Sequence, residues 1–343
     1  MEREEAREAG LPHVSALDLG WDRLSKESGD PAELYSRFFR EIIGDRMDGS
    51  LALLGNGPVA LYHAVLKRLS SEGVSVWEGT RDLIQEARKR KDAGEIEMIR
   101  QVGRRTEQIV SEMAELLRDA AVDDGRLSRD GELLTIGHLK EFVSRRISEL
   151  GMVEDHDTIL SPGDEAGVPH CRGTRSRVVR TGEPIVIDIF PADRDNGYFF
   201  DYTRTFVVGK PSARFRELYA QVSEAFELGV SMCRSGMRAG ELQHLVCDYF
   251  EQKGHETTRR NPASTHGYVH GLGHGVGLEV HEKPSFSINS SNEDLIEIGD
   301  VLTIEPGLYY PEEGIGIRIE ETFVVGEDGR LESLCERGRG WEL

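Results

Sequence analysis

Cysteine is scarce in this chain: 4 among 343 residues, with Cys171, Cys233, Cys247 and Cys335 far apart and no CxxC spacing. That distribution excludes a zinc ribbon and a disulfide scaffold, so reduced, mostly packed thiols are expected. Long apolar runs are missing too. No stretch approaches the length of a membrane span, and Met1-Glu2-Arg3-Glu4-Glu5 is charged where a secretory signal needs an apolar core. Lysine is rare, at 8 of the 42 basic residues, against 62 acidic ones, for a net charge of −20. Such a surface repels phosphate backbones and anionic lipid. A soluble, cytoplasmic protein with no nucleic-acid or membrane partner is expected. The one basic run, Arg88-Lys89-Arg90-Lys91, reads as a solvated helix end beside a domain junction rather than a phosphate patch.

What is present is organisation on the scale of two domains. After a polar stretch to about residue 30, a helix pattern from Pro31 (Leu34, Phe38, Ile42) leads to an apolar strand, Leu51 to Leu54. A turn at Gly55-Asn56-Gly57-Pro58, a helix carrying Leu61, Val65, Leu66 and Leu69, and a strand from Val74 to Trp77 follow. Gly55-x-Gly57-x-x-Ala60 with Glu78 downstream imitates a dinucleotide fingerprint. The unit is isolated, however, and Pro58 removes a backbone donor at the helix start. Farther on, helices over about 94–118 and 132–150 precede strands from 157 to 208. The same order returns as helices over about 213–233 and 241–253, then strands from 266 to 325. The expected division is a small α/β domain over 1–90 and a larger α/β domain over 91–343.

The chemistry lies in the second part. Asp188 ends the apolar run Ile185-Val186-Ile187, and Asp201 follows thirteen positions later; Glu305 closes Val301-Leu302-Thr303-Ile304, and Glu320 follows fifteen later. Glu305 lies 117 residues after Asp188 and Glu320 lies 119 after Asp201, a near-constant offset that suggests an internal pseudo-twofold. Carboxylates set among Val and Ile are expected to be buried, and unpaired buried carboxylates are too costly to keep. With the imidazole of His274 they form a donor set suited to one or two divalent cations. The segment His270-Gly271-Leu272-Gly273-His274-Gly275-Val276-Gly277 spaces two histidines as helical zinc motifs do, but four glycines in eight residues oppose a helix. An extended stretch that another backbone or a substrate approaches closely fits better. A phosphate cradle would need the lysine and helix of a P-loop.

Taken together, Val186-Ile187-Asp188, Asp201-Tyr202-Thr203-Arg204-Thr205, His270-Gly-x-Gly-His274-x-x-Gly277, Val280-His281-Glu282, Thr303-Ile304-Glu305-Pro306-Gly307 and Gly316-Ile317-Arg318-Ile319-Glu320 resemble the pita-bread metallopeptidases. That superfamily holds methionine aminopeptidase, Xaa-Pro aminopeptidase, Xaa-Pro dipeptidase (prolidase) and creatinase. The resemblance covers roughly 91–325. The stretch Lys91 to Arg100 looks like the junction of the Xaa-Pro branch, whose preceding domain would here be abbreviated. The resemblance implies a pita-bread α/β fold with an internal repeat and a homodimer. It also implies a peptidase that removes an amino-terminal residue preceding proline. Two divalent cations (Mn, Co, Zn or Fe) would be held by Asp188 on one side and by His274 and Glu305 on the other, with Asp201 and Glu320 bridging. A hydroxide shared between two such cations is a nucleophile at neutral pH. Glu305 would shuttle the proton, His281 would hydrogen-bond the scissile carbonyl, and His170 would stand near the leaving group. His270 and Arg318 would contact substrate, although loop packing for His270 and a structural ion pair for Arg318 are the alternatives.

Two departures bear on pocket shape. Relatives commonly place eleven positions between the two aspartates, and here the hairpin through Phe190-Pro191-Ala192-Asp193-Arg194-Asp195-Asn196-Gly197 is two longer, which keeps the strand phase. Phe199 and Phe200 are bulkier than the residues usual before the second aspartate. The rivals are a methionine aminopeptidase, a creatinase-like or lyase-type relative, and a non-catalytic pita-bread binding protein.

Overall fold

The structure is a computed structural model and describes residues 7, 10, 13–44, 50–55, 57–77, 79, 82–288, 293–336, 338 and 340–343. The charged run Met1 to Glu5, Asn56 of the expected turn, and Glu78 of the dinucleotide-like pattern lie outside the described residues. The chain divides into two units, Met1–Ile84 and Gln85–Leu343.

In the first unit, helices α1 (Trp21–Glu27), α2 (Pro31–Ile43) and α3 (Val59–Ser71) are formed, and α2 packs against α3. Asp30 caps α2 by accepting from the Glu33 amide at 2.8 Å, and Pro31 sits in the first turn, where its missing N–H costs nothing. Trp21 meets the rings of Tyr35 and Phe38 edge-on at 5.6 and 4.9 Å. The two expected strands shrink to one parallel bridge, Leu51 with Val76. Among the described residues only two backbone bonds support it, Leu51 N–H to Ser75 and Trp77 N–H to Leu51, too few to hold two strands extended.

The short helix α4 (Leu83–Arg88) straddles the division and leads into the second unit. There α5 (Ala93–Arg118) is opened by a reciprocal cap between Asp92 and Glu95, and it buries Ile99, Val102, Ile109, Met113 and Leu117. The next helix, α6 (Ile136–Glu149), starts four residues later than its pattern suggested. The intervening residues form a three-stranded meander, β1 (Ala121–Asp123), β2 (Arg126–Arg129) and β3 (Glu132–Leu133). Its turns are Asp124-Gly125 and Asp130-Gly131, with φ of 46°, 71°, 53° and 85°, the left-handed pairs that tight hairpins require.

Further on come β4 (Met152–Val153), β5 (Ile159–Pro162), β6 (Pro184–Ile189), β7 (Ala192–Asp193) and β8 (Tyr202–Val207), then α7 (Ala213–Met232) and α8 (Ala239–Gln252). The last strands are β9 (His274–Gly275), β10 (Glu282–Ser285), β11 (Val301–Ile304), β12 (Gly307–Tyr310), β13 (Ile315–Arg318), β14 (Glu321–Val325) and β15 (Leu331–Ser333). One sheet has the order β5-β6-β8, another β10-β9-β11-β14-β15, and β12 pairs with β13. A bridge between Thr203 and Glu320 joins β8 to the link between β13 and β14. The core has two parts. Ile185, Ile187 and Ile189 pack with α5 and α6; Leu302, Ile304, Leu308 and Ile317 pack with α7 and α8. Strands β6, β8, β11 and β14 are buried on both faces, and in β6 and at the end of β11 this makes Asp188 and Glu305 stand out from apolar runs. Among the described residues no helix is long and apolar enough to cross a membrane.

Candidate active site

Strand register brings the four carboxylates together. Asp188 pairs with Thr203 across β6 and β8, and Thr203 faces Glu320 on its other side, so the three stand in one row. Asp201 lies two residues before Thr203 and therefore points to the same face. Ile304 pairs with Glu321 at the end of β11 and β14, which sets Glu305 beside Glu320. His274 opens β9, the neighbour of β11. Its Nε2 lies 3.6 Å from Asp201 Oδ2, 3.7 Å from Glu305 Oε1 and 4.0 Å from Glu320 Oε1. Its Nδ1 is 3.1 Å from the Gly275 carbonyl, which can only accept. The proton therefore sits on Nδ1, and the Nε2 lone pair faces the carboxylates.

The electrostatics of this cluster are unfavourable as they stand. Burial, then repulsion by Glu320, Asp188 and Glu305, pushes the Asp201 carboxyl well above its usual range. Glu305 is raised in the same direction by burial and Glu320, and Glu320 rises to about 7 by burial and the Asp188 charge. Burial and the neighbouring His281 push His274 down to about 3. Asp188 Oδ1, Asp201 Oδ1 and Glu320 Oε1 are buried without a hydrogen-bond partner. Donor atoms of Asp201, His274 and Glu320 lie within 4.8 Å of one another. Orphaned buried oxygens, mutual repulsion and a lone pair aimed among them are the conditions that a divalent cation relieves, so the donor set fits a metal.

Arg318 and His270 belong to a network behind this face. The buried Arg318 guanidinium donates to Asp188 Oδ2, to Tyr309 Oη at 2.7 Å, to the Pro169 carbonyl at 3.2 Å and to Thr203 Oγ1 at 3.3 Å. Thr203 donates in turn to Glu320 Oε2 at 2.7 Å. His270 donates from Nδ1 to the Gly271 carbonyl at 2.7 Å, so its Nε2 accepts from Tyr309 Oη at 2.9 Å. The geometry thus supplies the ion-pair alternative for Arg318 and the loop-packing alternative for His270. Thr203 and Tyr309 are site residues that the sequence reading missed. Tyr309-Tyr310 offers two equal candidates in one strand, and only the register with β13 decides which faces inward.

All nine residues singled out from sequence line one cavity of about 610 Å³: His170, Asp188, Asp201, His270, His274, His281, Glu305, Arg318 and Glu320. His170 and His281 are solvent-accessible in it, and desolvation by the walls lowers the pKa of both. His281 stacks edge-on against His274 with ring centres 4.2 Å apart. His156, Asp157, Arg172, Phe190 and Ser285 complete much of the wall.

The glycine-rich run is extended, as its composition suggested. A Cβ at Gly273 would stand 2.0 Å from the Thr303 carbonyl, and one at Gly275 would stand 2.0 Å from that of Lys283. Only glycine lets β9 lie this close between its neighbours. A Cβ at Gly277 would meet the Glu282 carboxylate at 2.3 Å. That carboxylate accepts from the Leu278 and Glu279 amides at 2.9 and 3.2 Å, from Arg88 at 3.0 Å and from Lys91 at 2.8 Å. The basic run is therefore not a solvated helix end. Lys89 and Lys91 are each 6% exposed and reach inward, Lys89 to Glu297 at 2.8 Å.

The long hairpin is pinned at its tip, where Asp193 accepts from the Asp195 and Asn196 amides and pairs with Arg105 at 2.5 Å. Phe200 does not reshape the cavity. It packs away on α5, where a Cβ on Gly103 would touch its ring at 2.5 Å. Phe190 is the hairpin residue that lines the cavity.

Comparison with known proteins identifies the family. The profile of metallopeptidase family M24 matches residues 97–327 of the 343, and the chain belongs to that family. It is 38% identical over 173 residues to the Xaa-Pro dipeptidase of Pyrococcus furiosus, a match that covers 50% of this chain and 45% of that protein. It is 28% identical over 324 residues to the Xaa-Pro dipeptidase of Pyrococcus horikoshii, covering 91% and 80%. The X-Pro aminopeptidase of Thermotoga maritima superposes with a TM-score of 0.71 at 26% identity, covering 92% of this chain and 81% of that one. The fold is the pita-bread α/β fold of these proteins.

Proposed function

We propose that the protein is a metal-dependent exopeptidase that hydrolyses the bond between an amino-terminal residue and proline. The observation that carries this reading is the buried, mutually repelling carboxylate cluster with three orphaned oxygens on the wall of one cavity. The family membership and the names of the relatives support the substrate class. Asp188 would hold one divalent cation and His274 with Glu305 a second, with Asp201 and Glu320 shared between them; Mn, Co, Zn and Fe all suit such donors. Bound there, the cations would supply Lewis-acid activation of the attacking water.

The chain's own residues do the rest. Glu305, on the cavity wall beside Glu320, takes the proton from the attacking water and delivers it to the departing proline nitrogen. His281, neutral and accessible in the cavity, donates its N–H to the scissile carbonyl oxygen as that carbon becomes tetrahedral. His170 faces the same space from the segment before β6 and contacts the leaving side. His270, fixed by Tyr309, shapes the wall, and Arg318 holds Asp188 in the orientation that leaves Oδ1 free. Residues 91–343 form the catalytic domain in this reading, preceded by a small α/β domain over 1–90. A cytoplasmic homodimer completes it. Metal analysis tests the centre. The active protein is expected to carry two divalent ions per chain, and a chelator should abolish Leu-Pro hydrolysis reversibly. Full activity with one ion or none per chain contradicts the dinuclear centre.

A further inference from the structure

Among the described residues two guanidinium groups line the cavity, those of Arg172 and Arg318. Arg318 is saturated by Asp188, Tyr309, Thr203 and the Pro169 carbonyl. The carboxylate at the rim, Asp157, is taken by the buried Lys140 at 2.6 Å. Arg172 is exposed to the cavity and, among the described residues, makes no hydrogen bond or ion pair.

The backbone that presents Arg172 is fixed on both sides. Ser161 of β5 donates to the Cys171 carbonyl, and the Cys171 amide donates to Val168 at 3.0 Å. Gly173, at φ 79°, lies so close to β5 that a Cβ would stand 1.9 Å from the Leu160 carbonyl. The Thr174 amide closes onto Glu165 at 3.0 Å. The backbone is held while the side chain reaches into the cavity, and its planar guanidinium matches a carboxylate bidentately. The site's own carboxylates would repel a substrate carboxylate entering unaided.

We propose that Arg172 receives the free C-terminal carboxylate of an Xaa-Pro dipeptide, which makes dipeptides the preferred substrates. This rests on the Xaa-Pro reading above. In a dipeptide that carboxylate lies one residue from the scissile bond, within the same cavity. A second cavity of about 390 Å³ shares His270, Gly271, Gly273 and Ser285 with the first and offers room for a longer chain. Its remaining wall, Gln243, Thr258, Pro262, Phe286, Ser287 and Ile288, holds no cation to meet a carboxylate there.

The test compares Leu-Pro, Leu-Pro-amide and Leu-Pro-Gly on Mn-loaded wild type and Arg172→Gln. Binding of L-proline and L-prolinamide to both proteins is measured by calorimetry as a readout that needs no turnover. Wild type is expected to favour Leu-Pro over its amide by about tenfold or more in kcat/KM, the scale of one charge-assisted contact. Arg172→Gln should erase that gap through KM with kcat nearly unchanged, and should weaken proline but not prolinamide. Arg172→Lys should restore part of it. A gap that survives in Arg172→Gln, no gap in wild type, or a larger Arg172 dependence for Leu-Pro-Gly than for Leu-Pro overturns the proposal. Failure to cleave any Xaa-Pro peptide would instead strike the Xaa-Pro reading, while the proline binding difference still reports on Arg172.

Discussion

One proton on His274 decides what the site can be. Because Nδ1 is committed to the Gly275 carbonyl, Nε2 must present a lone pair to Asp201, Glu305 and Glu320. His281, stacked beside it, is free to act on substrate. His281→Ala is therefore expected to lower kcat by about two orders of magnitude, the scale of losing one donor to a developing oxyanion, with metal content near wild type. Metal analysis alongside turnover checks this, and loss of both together would make His281 a ligand or a structural residue. At this scale the ligand-type residues were legible because a carboxylate inside a Val/Ile run has few reasons to be there. Thr203, Tyr309 and Arg172 were not, since hydroxyls and arginines are common and only register or loop path brings the first two behind the site and the third to the cavity.

Elements were read well where a strong period ran long. Helices α5, α7 and α8 end within two residues of their expected bounds, and the glycine-rich stretch is extended because its neighbours leave no room for a Cβ. The meander before α6 was missed although its two Asp-Gly turns are a recognisable hairpin signal; the exposed strands β1 and β3 lack the apolar alternation that usually accompanies it. The basic run was misread for a different reason. Charge runs are usually solvated, but here tertiary pairing takes Lys91 inward to Glu282, with side chains 1% and 0% exposed. Removing Lys91 takes one cation from a buried carboxylate that keeps Arg88 and the Leu278 and Glu279 amides as partners. Lys91→Met is expected to cost about 1–3 kcal/mol, the scale of losing one hydrogen-bonded partner of a buried charge. The double variant Lys91→Met/Glu282→Gln should cost more, because Arg88 then loses its charged partner as well. Chemical denaturation of both variants measures this, and a Lys91→Met protein as stable as wild type would show that the pair contributes little.

Across the second unit two helices followed by strands occur twice, the first pair separated by the meander β1–β3, and each run of strands supplies two of the four carboxylates. The offsets of 117 and 119 residues were visible in the sequence, whereas the bridge from Thr203 to Glu320 that joins the two sheets was not. In the first unit, local propensity overstated the strands, which came to a single bridge. On the Xaa-Pro reading the assembled cavity selects by the residue after the scissile bond. Proline's tertiary amide has no N–H and its ring fixes φ, so a site built for that shape discriminates on the residue after the scissile bond. The direct measurement is kcat/KM of the metal-loaded protein on Leu-Pro against Leu-Ala. An excess of at least about tenfold for Leu-Pro, equivalent to about 1.4 kcal/mol in transition-state stabilisation, is the expected result. Equal rates or a preference for Leu-Ala would contradict it and favour a methionine-aminopeptidase-like enzyme.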